Sequence, residues 1–304
     1  MKLIYRIRDF LKRVFYKLRA SFINDVEKDL LVLRMDGGIC SQMHFYLIGR
    51  LLKERGYNVK YDITWYESNG LDNSGIFVRN FDLLKLFPTI DFSIAGVKEI
   101  NFCKQNYIIN NIFDDVHRLS YLGVKPPCYM AGYYQEPANF YSTFFPKYFI
   151  ADYTILDTAN QNVFDEIRDS SNSVSVHIRR GDLANYNVAY GNPCTTEYFI
   201  KCINILLGEN QDVKFFFFSD EPSWVEEEVV GKIPKGTKYK IVTINGSDKG
   251  YMDLLLMSAC KHHIASKGTL GKYGYLLSKS SNQLFCCDDV GERKWEILNN
   301  VRFI

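Results

Sequence analysis

Along the second half of the chain, short apolar runs alternate with segments of helical spacing. From residue 173 the order is VSVHI, a helix through Tyr198 to Leu207, KFFFFSD, a helix near Trp224 to Val230, YKIVTI, a helix from Tyr251 to Cys260, HHIAS, a helix near Leu270 to Ser278, and QLFCC. Apolar strands alternating with helices build a parallel sheet covered on both faces, so the pattern predicts a doubly wound α/β domain. The amino-terminal half opens alike, with LLVLRM at 30–35, DGGICSQ, an amphipathic helix from Met43 to Arg55 and a strand YNVKYDITW. It then loosens into aromatic and Asn-rich stretches up to PPCYMAGYYQEP. The prediction is two α/β domains with a cleft between them, 24–155 and 156–304, the break falling between Phe149 and Asn172.

Residues 1–23 stand apart. Ile4, Ile7, Leu11, Val14, Phe15, Leu18 and Phe22 recur at helical spacing among seven basic residues and one acidic residue, a net of +6 that leaves −4 for the remainder. Basic residues interrupt every apolar run, so the segment is not a membrane span, and it lacks the continuous apolar core of a signal peptide. The segment reads as a basic amphipathic helix lying on an anionic membrane surface, the alternative being one that packs its stripe on the protein's own core. The rest of the chain is too weakly basic for a nucleic-acid footprint.

The chain has 304 residues, 47% hydrophobic and 24% charged, enough for two full cores. Its eight cysteines (Cys40, Cys103, Cys128, Cys194, Cys202, Cys260, Cys286, Cys287) include no CxxC pair, which predicts neither a zinc site nor a disulfide framework and suits a reducing cytosol.

The chemistry concentrates where strands end. His177, Arg179, Arg180, Gly181 and Asp182 close the first strand of the second domain. Two guanidiniums at such an end suggest an anion site, while an Arg179–Asp182 ion pair capping a turn is the plainer alternative. Gly37 and Gly38 lie between strand and helix, where backbone can approach a phosphate or simply turn tightly. Gln42 in that turn can donate to a sugar hydroxyl or cap the helix. Asp220 after FFFFS can accept from a guanine edge or cap a helix. His262 and His263 are adjacent on a strand and point to opposite faces, so packing is their default. No DxD occurs in the chain, which argues against a divalent metal clamping a diphosphate.

Together these segments resemble one family, the inverting alpha-1,2-fucosyltransferases of bacteria and animals, a glycosyltransferase family 11-like group. MDGGICSQMHFYLIGRLL, MAGYYQEPANF, HIRRGD, FFFFSDEPSWVEE and DLLLMSACKHHIASKGTLGKYGYLL are similar, in order, to that family's sequence blocks. The resemblance implies a GT-B fold, with 24–155 serving the acceptor and 156–304 binding GDP-fucose. It implies that Arg179 engages the β-phosphate, that His177 and Asp220 face the guanosine, and that Gly37, Gly38, Gly268 and Thr269 approach the diphosphate, with Arg180 part of the same substrate site. No metal or other cofactor is expected. The implied partners are GDP-fucose and a galactose-containing oligosaccharide, on a lipid-linked chain at the cytoplasmic face of a bacterial membrane, with no nucleic acid. Asp182, Asp36 and Glu136 are candidate general bases, each with an ordinary structural explanation. Departures fall at Ser41, Lys267, Gly271, Lys272 and Tyr273; Lys267 or Lys272 could add charge for a phosphate or be solvated at a helix end. Another GDP-sugar donor, or a glycan-binding or membrane-scaffold protein on the same fold, are the alternatives.

Overall fold

The structure, a computed structural model, describes residues 2–68, 70, 78–109, 123–132, 140–185, 192–288 and 301–304. The chain divides into two compact units. The first comprises Met1–Asp72, Arg79–Leu83 and Thr89–Pro137, and the second Asn73–Val78, Leu84–Pro88 and Ala138–Ile304. The division therefore falls earlier than the expected 155/156. Aromatic packing explains this: Tyr141 and Phe145 meet the ring of buried Tyr273 at 5.9 and 5.0 Å, which ties 140–148 to the second core.

The first unit contains the helices α1 (Lys2–Ala20), α2 (Ile39–Glu54), α3 (Thr64–Ser68) and α5 (Val97–Cys103), and the strands β1 (Leu30–Arg34), β2 (Asn58–Asp62), β3 (Tyr107–Ile109) and β4 (Cys128–Ala131). All four strands are parallel, in the order β2-β1-β4-β3. The expected strand through Trp65 stops at Asp62, whose carboxylate accepts from the Thr64 N–H (2.9 Å) and hydroxyl (2.7 Å) and so starts α3. α2 begins earlier than expected, directly at the Gly37–Gly38 turn.

The second unit carries α4 (Leu83–Leu86, whose first residue belongs to the first unit), α6 (Phe145–Tyr148), α7 (Thr158–Arg168), α8 (Gly181–Asn185), α9 (Thr196–Glu209), α10 (Pro222–Trp224), α11 (Gly250–Ala259) and α12 (Leu270–Leu277). Its strands are β5 (Asn172–Ile178), β6 (Val213–Ser219), β7 (Lys238–Val242), β8 (His262–Ala265), β9 (Phe285–Cys287) and β10 (Val301–Phe303), all parallel in the order β10-β9-β8-β5-β6-β7. Every strand of the predicted alternation forms. β5's Val174, Val176 and Ile178 pack under α9, and on the other face Phe216 and Phe218 of β6 pack under α7 and α11. Both faces are thus buried, as the apolar runs require.

Strand order fixes where a ligand can sit. The chain runs outward from β5 through β6 to β7, then returns to place β8 on the other side of β5. The loops after β5 and β8 therefore diverge, and such a switch point is where open α/β sheets bind ligands.

Candidate functional site

At that switch point three residues lace the strand ends together. The Ser266 N–H donates to the His177 carbonyl (3.1 Å), and its hydroxyl accepts from the Arg179 N–H (3.0 Å). The same oxygen lies 3.3 Å from His177 Nδ1. His177 is buried, with its pKa pushed down to about 3 by burial and by the charges of Arg179 and Lys272. It is a neutral ring at physiological pH.

The two arginines part company. Arg179 points toward the β8 side, where Nε and Nη2 grip the two oxygens of Asp182 at 3.0 and 2.5 Å. Gly268 passes directly over this guanidinium: its φ is +91°, and a Cβ there would stand 2.7 Å from Nη1. Next to it Thr269 precedes α12, whose first turn has no side-chain cap. Arg180 instead turns to the β6 side, bonded to Glu221 (3.2 Å) and stacked 3.9 Å above Trp224. The pair is therefore not one double-pronged anion clamp. Arg179, Gly268 and Thr269 form one group, and Arg180 belongs to another.

Asp182 has both oxygens on Arg179 and is itself buried. That is the geometry of a residue that positions a guanidinium, and the turn-capping ion pair anticipated from the sequence does form. Asp220 likewise caps a turn, accepting from the Arg180 and Gly181 N–H groups at 2.9 Å each. Desolvation nevertheless raises its pKa.

In the first unit, Gly37 takes φ +78°, and its carbonyl accepts from the Tyr66 hydroxyl (3.0 Å) and from Gln42 Nε2 (3.3 Å). Gln42 is fully buried and committed to structure: Nε2 also donates to the Asn80 carbonyl, and Oε1 accepts from the Asp82 and Leu83 N–H groups. It neither reaches for a sugar nor caps α2. Gly38 precedes α2 with open space where a side chain would be. Beside it, desolvation raises the pKa of Asp36 against the opposing influence of Arg34, 3.4 Å away. Glu136 lies outside the described residues.

His262 and His263 are core residues, their Nδ1 atoms bonded to the Leu284 N–H and the Ser175 hydroxyl. All eight cysteines are buried free thiols. Lys272 is neither solvated nor at the surface: it is wholly buried in α12, with Nζ 3.6 Å from buried Asp288. Two further features escaped the sequence reading. Ser266 was hidden in an apolar strand's tail. Asp253 sits inside the helical DLLLMS run, with its pKa pushed up to about 7 by burial although Asn245 donates to it at 2.8 Å. A lone carboxylate among helix-face aliphatics was the available signal for the second.

The fold defines the class first, a parallel α/β protein of Rossmann-like sheets whose switch point gathers an arginine, a glycine turn and a helix start without a side-chain cap. Comparison with known proteins gives the particular family. Residues 87–284 match glycosyl transferase family 11, and the chain belongs to that family. It is 25% identical over 260 residues to an alpha-1,2-colitosyltransferase of Escherichia coli, covering 81% of this chain and 86% of that protein. It is also 25% identical over 229 residues to the O-antigen biosynthesis glycosyltransferase WbnK of Escherichia coli, covering 73% and 72%. Among solved structures it is similar to the fucosyltransferase NodZ from Bradyrhizobium, with a TM-score of 0.50 at 12% identity over 83% of this chain and 94% of the other. The fold is GT-B-like.

Proposed function

We propose that the chain transfers L-fucose from GDP-fucose to the 2-hydroxyl of a galactoside in a bacterial surface glycan of the O-antigen or capsule type, with inversion. The observation that carries this reading is the Arg179 guanidinium, fixed by Asp182 and overlaid by Gly268 at the switch point of the second sheet. A planar cation held this way suits a diphosphate, and its contact strengthens as charge grows on the departing β-phosphate. Gly268 and Thr269 would add backbone donors at the start of α12, and His177 a neutral ring beneath. The reaction would be one in-line displacement through an oxocarbenium-like transition state, with guanidinium and N–H donors standing in for a metal. Asp182 is occupied on Arg179, so the proton of the acceptor hydroxyl passes to a general base other than Asp182.

The similarity to a colitosyltransferase favours a second reading in which the donor is another GDP-linked deoxy sugar. Transfer assays with a set of GDP-sugars and a simple β-galactoside, followed by linkage analysis of the product, separate the two. Turnover of GDP-fucose to an alpha-1,2 product supports the first reading. Preference for GDP-colitose moves the chain to the second, and no transfer from any GDP-sugar overturns both.

A further inference from the structure

The apolar stripe of α1 does not pack on the protein. Ile7, Phe10, Leu11, Val14, Phe15, Leu18 and Phe22 are all exposed, between 40% and 83%. At 3.6 residues per turn those within the helix share an arc of about 140°. The opposite side holds the helix to the first unit: Ala20 is buried, and the Tyr16 ring meets Tyr107 of β3 at 6.0 Å beneath Lys104. Between the anchored side and the apolar arc, both flanks are basic. Arg8, Lys12 and Arg19 line one flank and Arg13 and Lys17 the other, all exposed. An outward apolar face with cations along each rim is the geometry of a helix lying in a bilayer interface, where aliphatic and aromatic groups enter the acyl boundary and long basic side chains reach back to phosphates.

We infer that α1 docks the protein on an anionic lipid surface, with the Ile7–Leu18 face inserted and the first unit above it. Charge selects this occupant. A second copy of the chain would bring a net +6 segment against another of the same sign, whereas anionic headgroups complement it at about 1 kcal/mol per basic residue. The inference is independent of the reaction catalysed, and its readout is not activity.

The test is sedimentation of the full chain with vesicles of phosphatidylglycerol and phosphatidylcholine, or of phosphatidylcholine alone, across a salt series. Binding to the anionic vesicles that weakens as salt rises is expected. Leu11→Glu with Phe15→Glu should weaken it by at least about tenfold, since each loses apolar burial. Lys12→Gln with Lys17→Gln should lose the preference for anionic lipid. All four positions are exposed, so unchanged thermal melting should accompany both variants. A wild-type chain left in the supernatant overturns the inference. So does undiminished binding of the Glu variant, or a sedimentation-velocity result in which that variant only disperses a self-associated oligomer.

Discussion

Replacing Gly268 by alanine tests whether the guanidinium's position, rather than its mere presence, matters. The new Cβ would stand 2.7 Å from Arg179 Nη1 and 3.4 Å from Cδ. Nonbonded heavy atoms settle near 3.5 Å or beyond, so the guanidinium must withdraw by roughly 0.8 Å. It cannot swing freely, because its other nitrogens are fastened to Asp182. A catalytic group displaced by about 1 Å can cost on the order of 100-fold, so kcat should fall by roughly 10- to 100-fold with a smaller change in KM. Backbone strain adds a separate effect: alanine at φ +91° costs about 1–2 kcal/mol of stability. Gly236 isolates that part, since it has φ +85° and nothing within 4 Å of its would-be Cβ. Gly236→Ala should therefore lose comparable stability in urea denaturation and retain its kcat. If Gly268→Ala keeps kcat within threefold of wild type while showing the same stability loss, the placement of Arg179 is not what the glycine serves.

Arg179→Ala should lower kcat/KM by about 3 kcal/mol of transition-state stabilisation with the fold intact by circular dichroism, and Arg179→Lys should recover little, since a point charge lacks the fork; near-wild-type transfer by either variant refutes the assignment. Lys272→Met should destabilise by roughly 3–5 kcal/mol because it removes a buried cation 3.6 Å from buried Asp288, and Lys272→Met with Asp288→Leu should regain much of this in urea titrations; equal losses in the single and double variants would deny the pairing. Transfer should persist in excess EDTA, as expected where guanidinium and N–H donors meet the departing diphosphate, and a loss reversed by Mg²⁺ or Mn²⁺ would contradict the mechanism. Asp253, with its folded pKa near 7 against 3.8 unfolded, binds its proton more tightly when folded, so it contributes stability below pH 3.8 that is lost as pH rises through 7; Asp253→Asn should remove that loss, and identical stability curves from pH 4 to 8 would show the carboxyl is not desolvated. The buried histidines act oppositely: His177 and His263, both near 3, take up protons more readily when unfolded, so they erode stability as pH falls from 6.5 toward 3.

Much of the second sheet was legible because its central strands are apolar on both faces and α9 keeps a 3.6-residue rhythm, whereas edge strand β7 is exposed or half-buried along most of its length and the helix expected near Trp224–Val230 passes into π- and 3-10-helical turns after Trp224. β6 is the plain case: Phe215 to Phe218 read as a buried strand and form one. The first unit was harder. YNVKYDITW continues to look like a strand past Asp62, and only the carboxylate's capping of Thr64 ends it, a local hydrogen bond that competes with the β-propensity of Ile63 and Trp65. The division between units was misplaced for a related reason. Periodicity marks elements, whereas the attachment of 140–148 to Tyr273 is a packing choice between residues far apart in sequence.

At the site the sequence marked which strand ends carry polar residues, and left open which partners those residues take. Arg179 and Arg180 lie just past the end of β5, where strand alternation no longer fixes direction, and their partners in neighbouring loops turn them to different sides. Arg180 meets an acid and an indole, Glu221 and Trp224, which turn it to the β6 side. Arg179 meets a carboxylate along one edge and a glycine backbone over Nη1. Lys272 shows the same dependence on context. Its sequence neighbours allow a solvated helix end, yet α12 turns it inward to Asp288, close enough to His177 for its charge to help lower that ring's pKa. The interior beneath Arg179 is thus itself charged, and a neutral His177 avoids a third cation there. A substitution that let this histidine ionise would set it against both Arg179 and Lys272, the two charges that already oppose its protonation.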